Sequence, residues 1–333
     1  MDLNNRHHVH AVARDRLANA QEAPKIALIF GGIIVLSTFL ASTASFLLGL
    51  QLDQAGGLRN LGTKSLITTI QTILPLAVNL LVMAVELGFL NTMLRVSRRQ
   101  FISPKSLHMG FARFWPLLKI VLLQSGLYFL ASMASMTISM QIFLMTPMSN
   151  RMFAILNPLL NSGTQVDPMV ILGDPEVYAS LLRSMSPMMI LMVVLLLAIV
   201  VPIWYHYRMA NYVIIDKPGI PALMAMRESR LMMRRNCLTL FRLDLSMWWY
   251  YAAMILVTVL GYGDMLLPAL GVNLSLSPNV GFFLFLILYL LADLAMIFFL
   301  RPHVETVHAL AYDSLKPQEK KPEGAVLGSI FSL

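Results

Sequence analysis

Six long apolar stretches constrain this chain more than any other feature of its sequence. Each holds about 20 or more residues, which is the length that an α-helix needs to cross a hydrocarbon core about 30 Å thick. Because a bilayer leaves no water to satisfy the backbone, such stretches must form helices. The sequence therefore predicts an all-α, polytopic membrane protein with six transmembrane helices. The predicted spans are residues 26–50, 67–94, 115–145, 188–215, 248–270 and 280–300.

The composition excludes a water-soluble fold. Hydrophobic residues make up 57% of the 333-residue chain and charged residues 13%, whereas soluble domains carry about 25% charged residues. The first apolar stretch is also longer than the 7 to 15 residues typical of a signal-peptide core, so it is predicted to be a retained helix.

The distribution of basic residues predicts the orientation. The formal net charge is +8, and with a cytoplasmic N-terminus 21 of the 25 Lys and Arg residues fall in cytoplasmic segments. The positive-inside rule then places both termini in the cytoplasm of a multi-pass protein. This asymmetry accounts for the basic residues, so a nucleic-acid partner is not expected.

Two basic cytoplasmic connections, predicted to be helical elbows, join the second span to the third and the fourth to the fifth. In the second elbow Arg227, Arg230 and Arg234 fall on one helical face, where they suit anionic phospholipid headgroups. A plain positive-inside anchor explains this stripe equally well. Residues 1–315 are predicted to form a single transmembrane domain, and residues 316–333 a disordered cytoplasmic tail.

Four ionisable residues at membrane depth are the candidate ligand or ion pathway: Glu86, Asp293, His206 and Arg208. Each charge inside a bilayer costs at least about 2.5 kcal/mol, so such residues are retained for a reason. One hypothesis is an inward-facing polar cluster built from all four. The alternative is a structural pair in which Glu86 or Asp293 holds Arg208. A third acid, Asp264, is predicted either to line an outer vestibule or to lie at a solvated helix end.

No catalytic or metal-binding motif is present. The sequence has no phosphate-binding loop and no nucleophile elbow, and its single cysteine, Cys237, excludes an internal disulfide. His303 and His308 are five residues apart, which is not the spacing of a zinc-protease helix. We therefore expect no catalytic residue, no metal and no cofactor.

Residues 205–249 resemble a known family. They read Tyr205-His206-Tyr207-Arg208-Met209-Ala210-Asn211-Tyr212, Asp216-Lys217-Pro218, Ala222-Leu223, Ser229, Leu231-Met232, Leu240-Phe241, Leu243-Asp244-Leu245-Ser246 and Trp249. Further similar motifs are Glu86-Leu87-Gly88-Phe89, Gly110-Phe111-Ala112-Arg113-Phe114 and residues 302–312. The pattern is similar to the bacterial integral membrane proteins grouped as domain of unknown function nine-seven-five. The chain departs from it in a longer outer loop and in His303, where an aromatic residue is more usual.

The resemblance implies a six-helix protein of the bacterial plasma membrane and carries no established activity. The leading hypothesis is a non-enzymatic protein that binds or translocates a lipid-like or amphipathic molecule through the inner polar cluster. The second is a structural or regulatory subunit in envelope maintenance or immunity, with a membrane protein partner. The third is a membrane-embedded enzyme that uses Glu86, Asp293 and His206 for acid and base chemistry.

Overall fold

The computed structural model describes residues 2–54, 61–161, 175–263, 266 and 277–316, and its regular elements over these ranges are all helical. A short 3₁₀ helix, Pro104–His108, lies between α3 and α4. The α-helices are α1 Arg6–Ala18, α2 Ala23–Gln54, α3 Leu61–Ser97, α4 Met109–Ala112, α5 Phe114–Leu144, α6 Pro147–Asn161, α7 Pro175–Tyr207, α8 Ala210–Asp216, α9 Ala222–Met233, α10 Cys237–Leu245, α11 Trp248–Gly261, α12 Pro278–Phe299 and α13 Arg301–Leu315.

Five helical segments are long and apolar enough to cross a membrane, which is compatible with a multi-pass membrane protein. They correspond to the first, second, third, fourth and sixth predicted spans. The segments are Ala23–Gln51, Lys64–Ser97, Phe114–Leu144, Leu182–Asp216 and Asn279–Phe299. The all-helical prediction is confirmed for the described residues.

At the fifth predicted span the structure describes the helix Trp248–Gly261, which has 14 residues and is not counted among these five. The preceding helix Cys237–Leu245 meets it at a bend of 67°, and the two together make a sixth candidate span. Residues 264, 265 and 267–270 of the predicted stretch lie outside the described residues, and Asp264 is one of them. The predicted tail from residue 317 onward also lies outside them.

The chain divides into two compact units. One comprises residues 118–208, where α6 packs against α7 and Gln124 of α5 donates a hydrogen bond to the carbonyl of Tyr207 at 3.3 Å. The other comprises residues 1–117 and 209–333. The single transmembrane domain over residues 1–315 stays a prediction, as do the cytoplasmic positions of the termini and elbows.

In the unit that holds both termini, α2 packs against α3 and α12, and α13 packs against α1, α3 and α12. Its apolar core is densest where Phe30 of α2 stacks on Phe89 of α3, with ring centroids 4.3 Å apart. Ile34, Val85 and Ile297 complete this layer. Burial of such side chains stabilises a fold by roughly 1.5–3 kcal/mol each in water, whereas between membrane helices close packing supplies the stabilisation.

Two glycines allow the first elbow to pack directly on α3. A Cβ added to Gly88 would lie 2.1 Å from the carbonyl oxygen of Leu107, and one added to Gly110 would lie 1.6 Å from that of Ala84. Thr92 and Ser106 share a hydrogen bond of 2.6 Å across the same contact. Both glycines belong to the motifs that carry the family resemblance, and here they are required because backbone approaches backbone.

Candidate functional site

The polar residues of the unit with both termini converge on α13. Arg301, Glu305, His308 and Tyr312 follow one another at intervals of four, three and four residues, so they share one face of this helix. Pro302 lies in the first helical turn, where its missing N–H is not needed. Apart from this stripe, α13 buries mostly small and apolar side chains, which hold it in the packed interior.

Arg301 forms an ion pair with Glu86 of α3. Its Nε lies 3.8 Å from Glu305 Oε1, and its guanidinium carbon lies 5.1 Å from the centre of the Phe30 ring. The Arg301 side chain is 17% exposed and that of Glu86 40%. The pair therefore lies at the edge of the apolar core, with the cation on its inner side.

Burial would lower the pKa of the Arg301 guanidinium, but surrounding acids outweigh burial and raise it. Glu86 and Glu305 contribute most of this increase, followed by Tyr250 and Asp293. Arg301 therefore remains charged, and its positive charge is shared by carboxylates on three helices. Two of the four predicted pathway residues, Glu86 and Asp293, thus act on one arginine.

A buried carboxylate–histidine contact continues the network along α13. His308 Nε2 lies 2.9 Å from Asp244 Oδ1 of α10, and His308 Nδ1 lies 3.6 Å from Glu305 Oε2. The Tyr212 hydroxyl of α8 donates to the same Glu305 carboxylate at 3.2 Å. Asp244 lies near the end of α10, just before the bend of 67° that leads to α11.

A second ionic network lies at the other end of α13. Arg98, just after α3, donates to Asp216 at 2.7 Å and to both carboxylate oxygens of Asp313. Lys316 and the Tyr312 hydroxyl also donate to Asp216, at 2.7 and 3.0 Å. Two cations thus balance two carboxylates. The ends of α3, α8 and α13 are joined in this way.

A pair of histidines joins α1 to α13. His10 Nδ1 lies 3.0 Å from His303 Nε2, and His10 Nε2 lies 2.8 Å from Ser246 Oγ. Because Ser246 donates its hydroxyl to the carbonyl of Leu243, its oxygen accepts from His10, and the neutral His10 ring then accepts from His303. Burial, the neighbouring ring and Arg14 lower the pKa of His303 to about 4, and burial with Arg14 and His7 also lowers that of His10.

The other two predicted pathway residues belong to the unit of residues 118–208. His206 donates from Nδ1 to the carbonyl of Pro202 at 2.7 Å. Arg208 lies over the Trp204 ring, 4.3 Å from its centre. The joint cluster of these residues with Glu86 and Asp293 stays a prediction.

The three arginines predicted to contact anionic lipid are exposed on one side of α9: Arg227, Arg230 and Arg234. The opposite side of that helix is buried through Ala225, Met226 and Ser229. The stripe is therefore available to solvent or to headgroups, and its lipid contact stays a prediction.

The sequence analysis did not single out Arg301, Glu305 and His308 as site residues. Their common helical face was a readable signal, because the spacing of four and three residues is that of a helix surface. Their partners Glu86, Tyr212 and Asp244 lie far away in sequence, so no local pattern connects them. Among the described residues, no group of three His, Cys, Asp or Glu side chains is placed to hold a metal ion.

A groove of about 470 Å³ opens between α2, α3 and α12, away from the ionic network. Its walls are mostly apolar, with hydroxyl groups from α2 and one amide, that of Asn79, from α3. The lining residues are Thr38, Ala41, Ser42, Ser45, Phe46, Pro75, Val78, Asn79 and Phe282. Asn79 is exposed near the middle of the candidate span Lys64–Ser97. Its amide has no hydrogen-bond partner among the residues that the structure describes.

Apolar helices of membrane-spanning length make the chain compatible with a multi-pass membrane protein, and ion pairs connect the ends of α3, α8 and α13. Residues 1–319 match the model of the family described as protein of unknown function (DUF975), and the chain belongs to that family. No curated protein and no solved structure matches this chain.

Proposed function

We propose that this chain is a multi-pass protein of the bacterial plasma membrane that binds a lipid-like, amphipathic molecule in the groove between α2, α3 and α12. The exposed amide of Asn79 in the middle of an apolar span is the observation that carries the proposal. A polar side chain at this depth is costly unless it finds a partner. A hydroxyl, ester or amide group of a bound amphiphile supplies that partner.

The walls of the groove suit such a ligand. Phe46, Val78 and Phe282 offer apolar surface to a hydrocarbon chain, whereas Ser42 and Ser45 add hydroxyl groups close to the amide. Binding pockets commonly combine a mainly apolar lining with a few polar groups that fix orientation. The groove is therefore chemically matched to one chain and one polar group.

The packing favours binding over translocation. Neither Glu86 nor Asp293 lines the groove. Along α3, the core residues Val82 and Val85 come between Asn79 of the groove and Glu86 of the Arg301 ion pair. The ionic network then acts as an anchor that joins helices at their ends.

Native mass spectrometry of the gently solubilised protein tests the proposal. Ser42→Phe fills the groove, and Asn79→Leu removes the amide, so each is expected to reduce the amount of co-purified lipid-like molecule several-fold. Leu40→Phe is the matched control, because Leu40 is 58% exposed on the same helix and does not line the groove. Wild-type protein that carries no bound amphiphile, or carries it equally in all variants, contradicts the proposal.

A partner subunit is the second candidate, because a polar side chain of a neighbouring membrane helix would satisfy Asn79 equally well. The result that distinguishes it is a co-purified protein that binds the wild type and is lost from the Asn79→Leu variant.

The third candidate, an embedded enzyme, would use Glu86 and Asp293, whose charges here interact with Arg301.

A further inference from the structure

A second cavity, of about 540 Å³, lies where α1 ends, α2 begins and the turn after α3 passes. It is separate from the groove and from the ionic network of α13. Its lining combines basic, amide and apolar side chains. The lining residues that matter here are Arg16, Glu22, Arg99 and Phe101.

Arg16 is the unbalanced charge of this cavity. Its Nε is buried without a hydrogen-bond partner, and its guanidinium forms no ion pair with any residue of the described ranges. The other two charged residues of the lining are both paired. Arg99 Nη2 lies 3.2 Å from Asp15, and Glu22 lies 2.9 Å from Lys25. The cavity therefore has an excess of one positive charge, and a buried polar atom that requires an acceptor.

Arg99 occupies a backbone conformation that favours glycine. Its φ is +55°, the only positive φ of a residue other than glycine in the described parts of the chain. A left-handed residue at a helix C-terminus is usually glycine, and another side chain there costs roughly 1–2 kcal/mol. An arginine held there despite this cost places a second guanidinium at the cavity.

One aromatic ring of the cavity lining is exposed. Phe101 directly follows the polar turn and is 84% exposed. The N-terminus of α2, a helix of 32 residues, also borders the cavity and adds partial positive charge. A cation excess and an exposed aromatic ring in one cavity suit an anion that carries an apolar group.

We propose that Arg16 and Arg99 form a binding site for the phosphate group of an anionic amphiphile. Arg16 donates to the phosphate through its guanidinium, and Arg99 donates from the opposite wall. Phe101 contacts the apolar part of the same molecule. The site does not depend on the groove that contains Asn79, and its failure leaves the proposed function untouched.

The test uses the full chain in phosphatidylcholine nanodiscs. In one arm the discs also contain phosphatidylglycerol, and native mass spectrometry counts the anionic lipid that the protein retains. In the other arm glycerol phosphate is titrated from solution by calorimetry. The first arm detects a lipid headgroup, and the second a free phosphate ester.

The variants are Arg16→Gln and Arg99→Gly, with Arg6→Gln as the control for a lost charge on α1 outside the cavity. Both site variants are expected to weaken binding roughly tenfold in the arm where the wild type binds, because each removes a charge-assisted contact. Arg99→Gly should also keep or raise the melting temperature, since glycine relieves the backbone strain. Absence of binding in both arms overturns the site, and so does equal binding by Arg16→Gln and the wild type.

Discussion

Glu86 of α3 accepts a hydrogen bond from Arg301, the first residue of α13, across 215 positions of sequence. The same arginine is held electrostatically by Glu305 and Asp293. One cation therefore faces several carboxylates, and the consequences of removing it differ from those of removing any one acid.

Arg301→Gln is expected to destabilise the protein more than Glu86→Gln. Loss of the cation leaves buried carboxylates uncompensated, a change that typically costs about 3–5 kcal/mol, whereas the half-exposed Glu86 loses roughly 1 kcal/mol. Melting temperatures in detergent check this order, and the double variant measures the coupling. Equal losses in the two single variants would mean that Glu305 and Asp293 contribute nothing.

Gly88→Ala and Gly110→Ala are expected to disrupt the contact of the first elbow with α3. Each added methyl group meets a backbone carbonyl, which cannot rotate away, so a cost of about 1–3 kcal/mol or more follows. The measurements are the yield of folded protein and its melting temperature. Gly32→Ala is the matched control, because a Cβ at Gly32 meets nothing within 4 Å.

Acidification is expected to loosen α1 from α13. The pKa of His303 is lowered to about 4, so protonation favours the undocked form. The docking contribution is fully present above the ordinary histidine pKa of about 6.5 and is lost as the pH falls toward 4, by on the order of 1 kcal/mol per pH unit at most. The measurement is hydrogen exchange of the backbone amides of α1 at pH values from about 7 down to about 4, the range that covers both pKa values. Faster exchange at low pH reports the loosening of α1.

His303→Phe is the diagnostic variant for this pH dependence. It keeps an aromatic ring beside His10 and Trp249 but cannot titrate. Exchange of α1 should then depend much less on pH, whereas His8→Gln, at an exposed position of the same helix, should leave the profile unchanged. A profile identical in wild type and His303→Phe would assign the titration to another group.

Asp216→Asn is expected to cost more stability than Asp313→Asn. The Asp216 side chain is more buried and accepts from Arg98, Lys316 and Tyr312, so its loss leaves several donors short of an acceptor, at about 2–4 kcal/mol. Asp15→Asn, in an exposed pair with Arg99, serves as the control and should change stability by less than about 1 kcal/mol. Thermal unfolding of the three variants decides the order.

Accessibility to a membrane-impermeant maleimide tests the predicted orientation. In a Cys237→Ser background, Phe101→Cys should react only from the cytoplasmic side and Met145→Cys only from the outer side. Both positions suit the test because Phe101 and Met145 are 84% and 87% exposed. Labelling of both cysteines from one side would contradict the positive-inside assignment.

Five of the six apolar stretches were predictable because hydropathy and helix length are properties of contiguous residues. The contact of Asp244 with His308, beside the bend between Leu245 and Trp248, was not predictable, because no local pattern connects the two residues. Glu86 and Asp293 were recognisable as costly charges at depth. Their partner Arg301 directly follows the sixth predicted span, and no local pattern connects it with either acid.

The helical class and the segments apolar enough for a bilayer follow from the amino-acid sequence alone, because the cost of an unsatisfied backbone acts on each segment independently. Which charges meet depends instead on the fold. Ion pairs such as Glu86 with Arg301 and Arg98 with Asp216 join residues that are distant in the chain. Their formation depends on how α3, α8 and α13 pack, which is a property of the whole unit rather than of any one helix.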